Sequence, residues 1–558
     1  MATQLDRPAV RWRMLLRWAL IFAVLAAAVG GVAAFRYWIP LFPRALGRRL
    51  TEGFLRAFLI GYVVGLALAL PGAVLLSRVL LRARRRRQSR PRLARCLLLC
   101  VAFLTAVTCL EAAAGAWLAW AHRMPALPAR FREFPPGEIS IVSIGGSSAL
   151  GYPYSPRCSP AQIVARQLEK ALPGRKVAVD PHAKMGASLE TEYQMLASLE
   201  RRPDILIVYE GNNEFLARYE GSRDVALDEA PLDPILNRMY RLTQRSWLCR
   251  MVYETVNKHR LGGPPGLLKR HQVIDPTLCS PSEYDAVLSD FRRRLDALAG
   301  YCERIGAIPI LVIPAGNESG FEPTRTALPA ASKSERAALI KTFQAARALE
   351  ESDPARSREA YRDLVRQQPT FAEAHFRLAR LLEGTSDWDG ARRHYGLALD
   401  HDGFPVRCAS PFKNAYREVA ARHGCILIDG SEALRAVTPH GIVDDHAIHD
   451  AHHPTLAGQV AIAQAILDAL HARKALGWDA SVPPDLTPAA CAREFNVDAE
   501  AWQVVCAKTS TFYRDFSHAR YDRTERLEKM RVFADAGRRI AEGIPPETTG
   551  VPGIGTGP

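Results

Sequence analysis

The sequence predicts an α/β protein built on a flavodoxin-like parallel sheet, preceded by three transmembrane helices and interrupted by a helical insert. Residues 1–130 contain three long apolar runs and most of the positive charge. Short apolar runs alternate with amphipathic segments over residues 138–331 and again over 404–476, as in βαβ units. Between these two parts, residues 332–403 are purely helical in pattern and repeat with a fixed offset.

The positive charge is confined to the N-terminal part of the chain. Residues 1–130 hold 20 Arg, no Lys and three acidic residues, a net charge of +17, whereas the whole chain carries +15. The remaining 428 residues therefore carry a net charge of −2. Because a nucleic-acid-binding domain needs a basic surface, this balance predicts no nucleic-acid partner.

The three apolar runs predict a multi-pass membrane anchor over residues 1–130. They lie at about residues 18–35, 57–77 and 96–121, and each is long enough to cross ~30 Å of hydrocarbon as a helix. Eight Arg lie between residues 82 and 95, and such a short basic loop stays on the cytoplasmic side. We therefore expect the N-terminus inside and everything after the anchor on the periplasmic or extracellular side. The arginines between the first two runs oppose this topology: Arg44, Arg48, Arg49 and Arg56.

Glu111 is the only charged residue in the third apolar run. A carboxylate at membrane depth is often a functional group. It can equally face a neighbouring helix or the outer interface, and the sequence leaves both interpretations open.

The cysteines outside the anchor are even in number and lack CxxC spacing. They are Cys158, Cys249, Cys279, Cys302, Cys408, Cys425, Cys491 and Cys506. An even number permits disulfides in an oxidising compartment. Proximity in the sequence suggests only the pair Cys491 and Cys506.

Five short strands are predicted in the α/β domain. They cover residues 139–144, 177–180, 205–209, 308–313 and 426–429. Helical segments between them imply a parallel sheet covered on both faces. Because functional groups of such sheets gather at the carboxyl ends of the strands, we searched those ends for chemistry.

The insert repeats at an interval of 34 residues. Tyr361 recurs as Tyr395, and Leu364 recurs as Ala398. The second copy resembles a tetratricopeptide repeat, whereas the alternative is an ordinary helical hairpin. A tetratricopeptide-like insert implies a protein partner or a structural role. After it, residues 477–558 predict a helical C-terminal extension with a loose Gly/Pro-rich tail.

Three polar segments follow predicted strands, and a fourth lies near the end of the α/β domain. Ser147 stands in IVSIGGSSALG after the first strand, and Asp450 and His453 stand three residues apart in DDHAIHDAHHPT. A serine nucleophile needs an imidazole as its base and a carboxylate to orient that imidazole. Gly186 follows the second strand and Asn213 the third, and a backbone N–H with a side-chain amide suits an oxyanion hole.

Together these segments resemble the four blocks of the SGNH (GDSL-like) hydrolase family over about residues 138–325 and 404–475. The matching positions are Gly145, Gly146, Ser147 and Gly151 in the first block, Gly186 in the second, Gly211, Asn212, Asn213 and Glu214 in the third, and Asp450 and His453 in the last. Two positions depart from the family pattern: Gly146 and Glu214 each replace an aspartate. These departures put substrate preference in question more than catalysis.

The resemblance implies acyl transfer through a Ser147, His453 and Asp450 triad, with Ser148 as the less favoured nucleophile. The Ser147 and Gly186 backbone N–H groups and the Asn213 amide would form the oxyanion hole. No cofactor and no metal is expected. The alternative is a metal cluster, for which imidazoles and carboxylates are suitable ligands. Its candidates are His446, His449, His452, His453, Asp444, Asp445 and Asp450.

Three functions fit the sequence. The first is a membrane-anchored serine esterase acting outside the cytoplasm on an ester-bearing small molecule or glycan, including O-acetyl esters. The second is an O-acyltransferase that modifies an exported polysaccharide, which would require a separate membrane partner to supply the acyl donor. The third is a non-catalytic binding platform that uses the repeats.

Overall fold

The computed structural model describes residues 44–85, 91–121, 123–132, 137–216, 246–257, 272–275, 281–328, 331–478 and 486–556. The chain divides into two compact units. The N-terminal unit comprises Met1–Arg123 and Arg218–Lys269, and the sheet unit comprises Met124–Ala217 and Arg270–Pro558.

The described residues form the following strands and helices. The strands are β1 (Glu138–Gly145), β2 (Lys176–Ala183), β3 (Ile205–Tyr209), β4 (Ile308–Ile313) and β5 (Ile426–Asp429). The helices are α1 (Arg44–Arg85), α2 (Pro91–Ala121), α3 (Pro160–Ala171), α4 (Leu189–Met195), α5 (Trp247–Asn257), α6 (Pro281–Ile305), α7 (Lys333–Ala348), α8 (Pro354–Gln367), α9 (Ala372–Glu383), α10 (Trp388–Asp400), α11 (Ser410–His423), α12 (Gly430–Arg435), α13 (Leu456–Ala472), α14 (Pro488–Glu494), α15 (Ala499–Ser517) and α16 (Thr524–Ala541).

Two helices of the N-terminal unit are long and apolar enough to cross a membrane. The stretches are Ile60–Arg84 in α1 and Pro91–Trp120 in α2, and they overlap the second and third predicted spans, at about residues 57–77 and 96–121. Large apolar side chains on them are exposed, such as Leu68 at 70% and Leu99 at 64%. The first predicted span, at about residues 18–35, lies outside the described residues.

Glu111 of α2 caps a neighbouring helix. Its Oε1 accepts hydrogen bonds from the Tyr62 hydroxyl at 2.7 Å and from the Ser246 hydroxyl, and its Oε2 accepts one from the Leu248 N–H at 3.1 Å. Leu248 lies in the first turn of α5, where backbone N–H groups have no partner within the helix. Of the two interpretations that the sequence leaves open, these contacts support a carboxylate that faces a neighbouring helix.

The predicted parallel sheet is confirmed. Its five described strands lie in the order β2-β1-β3-β4-β5 and are all parallel. Helices α4, α6 and α11 pack on the face that carries Val142 and Val208. Helices α3 and α13 pack together, and they contact β1 and β5 respectively. Because side chains alternate along a strand, β1 is buried on both faces.

The insert between β4 and α11 consists of four helices, α7 to α10, in the described chain. The two tyrosines of the 34-residue repeat are placed alike: the Tyr361 hydroxyl donates to Glu350 at 2.6 Å, and the Tyr395 hydroxyl donates to Glu383 at 2.5 Å. Each of these glutamates lies near the end of the preceding helix. The helical insert is therefore as predicted, and its tetratricopeptide nature stays a prediction.

A buried ion network joins the insert to the C-terminal extension. Arg520 donates to both carboxylate oxygens of Glu373 in α9, at 2.9 and 3.0 Å, and pairs with Glu322 at 3.0 Å. Arg377 adds a further contact to Glu373 at 3.2 Å. Burial alone would raise the pKa of Glu373, but the Arg520 and Arg377 guanidinium groups lower it to about 2. The insert is therefore fixed to its host domain by charges that have little access to water.

Two expectations for the C-terminal extension are wrong. Cys491, on α14, and Cys506, on α15 next to Gly537 of α16, are both free thiols. The expected loose tail packs instead. Ile554 is buried, and Gly553 lies so close to Thr455 that a Cβ on it would be 2.4 Å from that side chain.

Replacing the buried carboxylate should destabilise the fold. In Glu373→Gln, Arg520 and Arg377 lose their shared counter-charge inside the protein, which costs about 3 kcal/mol for a broken buried pair. We expect the thermal unfolding midpoint of the full chain in detergent to fall by several degrees.

Glu359→Gln is the matched control, because Glu359 pairs with Arg362 on the surface of α8 with 60% of its side chain exposed. Surface pairs contribute little, so its midpoint should stay unchanged. Equal midpoints for the two variants would contradict the stabilising role of the network.

Candidate active site

The register of the sheet brings three predicted loops to one edge. Gly145, the last residue of β1, lies beside Ala183 of β2 and Tyr209 of β3. The segments that follow these three residues carry Ser147, Gly186 and Asn213. They meet because the three strands are parallel and end at the same level.

Ser147, His453 and Asp450 form a continuous hydrogen-bonded chain. The Ser147 Oγ lies 2.6 Å from His453 Nε2, and His453 Nδ1 lies 2.8 and 2.9 Å from the two carboxylate oxygens of Asp450. All three residues are buried. The arrangement places a base on the serine hydroxyl and a carboxylate on the other imidazole nitrogen, the order of contacts that activates a serine.

Asp450 is held in place by the loop that carries His453. Its Oδ1 also accepts hydrogen bonds from the backbone N–H groups of His452 and His453, both at 3.1 Å. Burial alone would raise the pKa of Asp450, but the His453 imidazole and these N–H groups keep it below its ordinary value. The carboxylate therefore stays ionised and fixes the orientation of the ring.

Backbone hydrogen bonds close the loop itself. The His449 N–H donates to the His453 carbonyl at 2.9 Å, and the Thr455 N–H donates to the Ala447 carbonyl at 2.9 Å. The Thr455 hydroxyl then accepts from the Gly458 N–H at 3.1 Å and caps α13. The start of a buried helix therefore anchors the residues just after the triad histidine.

The residues of the predicted oxyanion hole surround Gly146. A Cβ built on Gly146 would lie 2.1 Å from the Asn213 Nδ2 and 3.3 Å from the Ala187 carbonyl oxygen. Gly186, just before Ala187, has a φ of +70°, which favours glycine. The Asn213 amide and the loop of Gly186 thus reach the backbone next to Ser147, where an oxyanion would form.

The two departures from the family pattern have structural causes. No side chain fits at Gly146, because the Asn213 amide and the Glu210 carboxylate occupy its place. Glu214 accepts a hydrogen bond from the Leu189 N–H at 3.0 Å. It therefore ties the loop after β3 to the first turn of α4, next to Gly186.

Two aromatic rings that the sequence did not single out flank the histidine. The Tyr152 ring lies 4.5 Å from the His453 ring, and the Phe512 ring contacts it edge to face at 5.5 Å. Tyr152 follows Ser147 closely and could have been included in the first block. Phe512 comes from α15 in the C-terminal extension, and no local pattern points to it.

His449 and His446, two of the other candidates for a metal cluster, contact different side chains. His449 Nε2 contacts the Tyr154 hydroxyl at 2.7 Å, and His446 contacts Asp444 at 3.0 Å. Burial lowers the pKa of His449 to about 4 and that of His452 to about 3. In the part of the chain that the structure describes, no group of three or more His, Cys, Asp or Glu is arranged to hold a metal ion.

Two buried glutamates behind the oxyanion loops, Glu192 and Glu210, were also missed, and the half-buried Glu214 was noted only as a departure from the family pattern. Glu192 Oε1 accepts from the Lys184 N–H at 3.1 Å, and Glu210 Oε1 accepts from the Gly211 N–H at 2.9 Å. Burial raises the pKa of Glu192 to about 8, that of Glu214 to about 7, and that of Glu210 well above its ordinary value. Glu210 is the first residue of EGNNE, but the sequence alone gave no reason to expect its burial, because a charged residue after a strand is usually solvated.

Comparison with known proteins adds little to this geometry. No family model and no curated protein matches the chain. A solved structure from Parabacteroides merdae ATCC 43184, described as a GDSL-like lipase, has 12% identity and a TM-score of 0.27 and covers 62% of this chain and 98% of its own. LAE5, an alpha/beta hydrolase enzyme from the metagenome of Lake Arreo, Spain, has 14% identity and a TM-score of 0.26, with 59% and 94% coverage. At these TM-scores the likeness is too low to assign an activity.

The geometry distinguishes Ser147 from its neighbour. The Ser148 hydroxyl donates to the His452 carbonyl at 3.2 Å and does not face a base. A fluorophosphonate probe should therefore attach to Ser147 in the full chain, as mapped by mass spectrometry of peptides. Ser147→Ala should abolish labelling and Ser148→Ala should retain it, whereas a label on Ser148 would contradict the assignment.

Proposed function

We propose that this protein is a membrane-anchored serine esterase of the SGNH type that acts on a carboxylic ester, such as an O-acetyl group, outside the cytoplasm. The observation that carries the proposal is the hydrogen-bonded chain from Ser147 through His453 to Asp450. The serine, the imidazole and the buried carboxylate lie at the edge of the sheet with contacts of 2.6–2.9 Å. Activation of the serine as a nucleophile is the function that this arrangement fits.

The reaction follows from the atoms in contact. His453 Nε2 takes the proton of the Ser147 hydroxyl as Oγ attacks the ester carbonyl, and Asp450 stabilises the imidazolium that forms. The carbonyl π bond breaks and leaves a negative oxygen on a tetrahedral carbon. When the tetrahedral intermediate collapses, the imidazolium returns its proton to the departing alcohol. Water then attacks the acyl carbon while His453 takes its proton, the bond between that carbon and Ser147 Oγ breaks, and the proton passes to Oγ as the carboxylic acid leaves.

The negative oxygen needs donors that are already in place. The Ser147 N–H, the Gly186 N–H and the Asn213 amide are the candidates, and each donor to an oxyanion is worth about 3 kcal/mol in the transition state. Neither this hole nor the triad calls for a cofactor or a metal. Residues Gly146 and Asn213 are packed so closely that the amide has little freedom to turn away.

The surroundings of the triad favour a small acyl group. Only 4% of Ser147 and 3% of His453 is exposed, and Tyr152 and Phe512 close on the histidine ring. A long acyl chain would have to displace these side chains, whereas an acetyl group needs space for one methyl group. This supports an O-acetyl ester of a small molecule or glycan as the substrate class.

The remainder of the chain supports the location and one further contact. The helices α1 and α2 are both apolar, and the Arg-rich segment at residues 82–95 covers the end of α1 and the start of α2. This pattern favours a multi-pass inner or plasma membrane protein with its sheet unit on the periplasmic or extracellular side. The helical insert would bind a protein partner if its two repeats act as tetratricopeptide repeats do.

The direct test of the activity is turnover of a short-chain chromogenic acetate ester by the full chain in detergent. Gly146→Ala should reduce kcat about 100-fold, because its Cβ displaces the Asn213 amide from the oxyanion hole. Gly396→Ala is the matched control, since nothing lies within 4 Å of a Cβ at that position, and its kcat should be unchanged. Equal activity of both variants would contradict the proposed oxyanion hole.

The same assay separates hydrolysis from acyl transfer. Free acetate released at one rate with or without a glycan acceptor supports the esterase. Acetylated glycan formed at the expense of acetate would instead support the O-acyltransferase alternative. No turnover by wild-type protein that still labels at Ser147 would contradict both.

The topology can be tested with single cysteines and a membrane-impermeant maleimide. A cysteine at the exposed Glu500 of α15 should be labelled from outside sealed cells or spheroplasts, whereas a cysteine at Ser89 should react only after lysis. The chain without either added cysteine gives the background labelling of the native cysteines. The reverse pattern would place the triad in the cytoplasm.

A further inference from the structure

The most unusual group beside the candidate active site is the side chain of Glu210. It is 2% exposed, and its Oε1 accepts the Gly211 N–H at 2.9 Å. Its Oε2 has no hydrogen-bond partner, although it lies 3.1 Å from the point where a Cβ on Gly146 would stand. The Asn213 Nδ2 lies 2.1 Å from that same point. An unpartnered carboxyl oxygen therefore shares one small space with the amide of the oxyanion hole.

The backbone of Glu210 is fixed from the opposite side. The Tyr416 hydroxyl of α11 donates to the Glu210 carbonyl at 2.6 Å, and the Glu210 N–H lies 3.1 Å from the same hydroxyl oxygen. The Glu210 side chain in turn caps the N–H of Gly211, the first residue of the turn that ends in Asn213. Tyr416, Glu210 and Gly211 thus form a chain of contacts from α11 to the oxyanion loop.

A negative charge at this position would oppose the reaction. It would repel the oxyanion, and it would attract the Asn213 amide that the oxyanion needs. The titratable groups that face Glu210 are poor partners for an anion: Glu192 on α4, Glu214 in the turn after β3, Tyr209 on β3, Cys408 before α11 and Tyr416 on α11. The backbone N–H groups of Gly211 and Asn213 favour the charged form, but burial and the charge of Glu214 outweigh them. Burial and the charge of Glu214 raise the pKa of Glu210 well above its ordinary value.

We propose that Glu210 is a positioning residue of the active site: as an uncharged acid it fills the space beside Gly146 and holds the turn that presents the Asn213 amide. This inference rests on the proposed serine chemistry. It goes beyond the triad and the oxyanion donors, because Glu210 acts through Asn213 and does not touch the substrate. It follows that loss of the Glu210 proton limits activity at alkaline pH, because the resulting charge would lie beside the oxyanion and would compete with it for the Asn213 amide.

The test compares two replacements in the full chain in detergent. Glu210→Gln keeps the shape without a titratable proton, so kcat at neutral pH should stay within about threefold of wild type, and the alkaline fall of kcat should vanish. Glu210→Ala leaves the turn unsupported, so kcat should drop about 10-fold to 100-fold with little change in KM. A third variant, Glu214→Gln, tests the direction of the effect. It removes a negative charge that repels ionised Glu210 and so lowers the pKa of Glu210. The alkaline fall of kcat should therefore move to lower pH.

Two results would overturn the proposal. One is an equal loss of kcat in Glu210→Gln and Glu210→Ala, which would mean that the ionised form is needed. The other is an alkaline fall that persists in Glu210→Gln. Rates of Ser147 labelling by a small fluorophosphonate are measured in the same variants, since the phosphoryl oxygen occupies the oxyanion hole. If wild type is labelled but does not turn over ester, the proposed substrate is contradicted, and the labelling rates of the variants still test the role of Glu210. If wild type is neither labelled nor active on the ester, both the proposed serine chemistry and the role of Glu210 are overturned.

Discussion

The buried carboxylate of Asp450 is the constraint on which the candidate active site depends. It accepts two backbone N–H groups of its own loop and the Nδ1 of His453, so the loop and the imidazole cannot be placed independently. A buried anion is costly unless its hydrogen bonds are complete. Asp450 meets that requirement only when the His453 ring faces Ser147. The cost of burying the charge is thus what selects the reactive orientation.

The second constraint is the crowding at the carboxyl ends of β1, β2 and β3. Parallel strands in register deliver three loops to one edge, but they do not orient side chains. That orientation comes from the carboxylates that cross-link the loops: Glu192 binds the loop after β2, and Glu214 binds the first turn of α4. Gly146 then permits the Asn213 amide to approach the backbone. The loops of the candidate site are therefore held by contacts within the protein itself, which is the kind of preorganisation that the proposed oxyanion hole needs.

Local patterns were sufficient to predict the sheet, and the resemblance to the SGNH family predicted that Ser147, His453 and Asp450 would meet at its edge. Four of the five strands end within a residue or two of their predicted positions, because apolar runs mark strands that are buried on both faces. The exception is β2, which continues to Ala183 through Pro181. A proline is tolerated there because β2 is the edge strand of the sheet. Asp450 and His453 were predictable because a single short loop carries both.

Long-range contacts could not be predicted from local patterns. Arg520 meets Glu373 across 147 positions of the chain, and nothing near either residue indicates the other. The same holds for Phe512, which contacts His453 from α15. The sequence predicted helix in this C-terminal extension but gave no indication that it packs against the loop of His453. The extension, which looked like an accessory to the sheet, is therefore part of the enclosure of the candidate active site, and Arg520 of the same extension holds the insert.

The central claim is that Ser147, His453 and the three oxyanion donors act on one carbonyl group. The most direct measurement is a crystal structure of the full chain after reaction with a small fluorophosphonate. The account predicts phosphorus bonded to Ser147 Oγ, with the phosphoryl oxygen within hydrogen-bond distance of the Asn213 amide and the Gly186 and Ser147 N–H groups. An adduct on another residue, or a phosphoryl oxygen that faces away from Asn213, would contradict it.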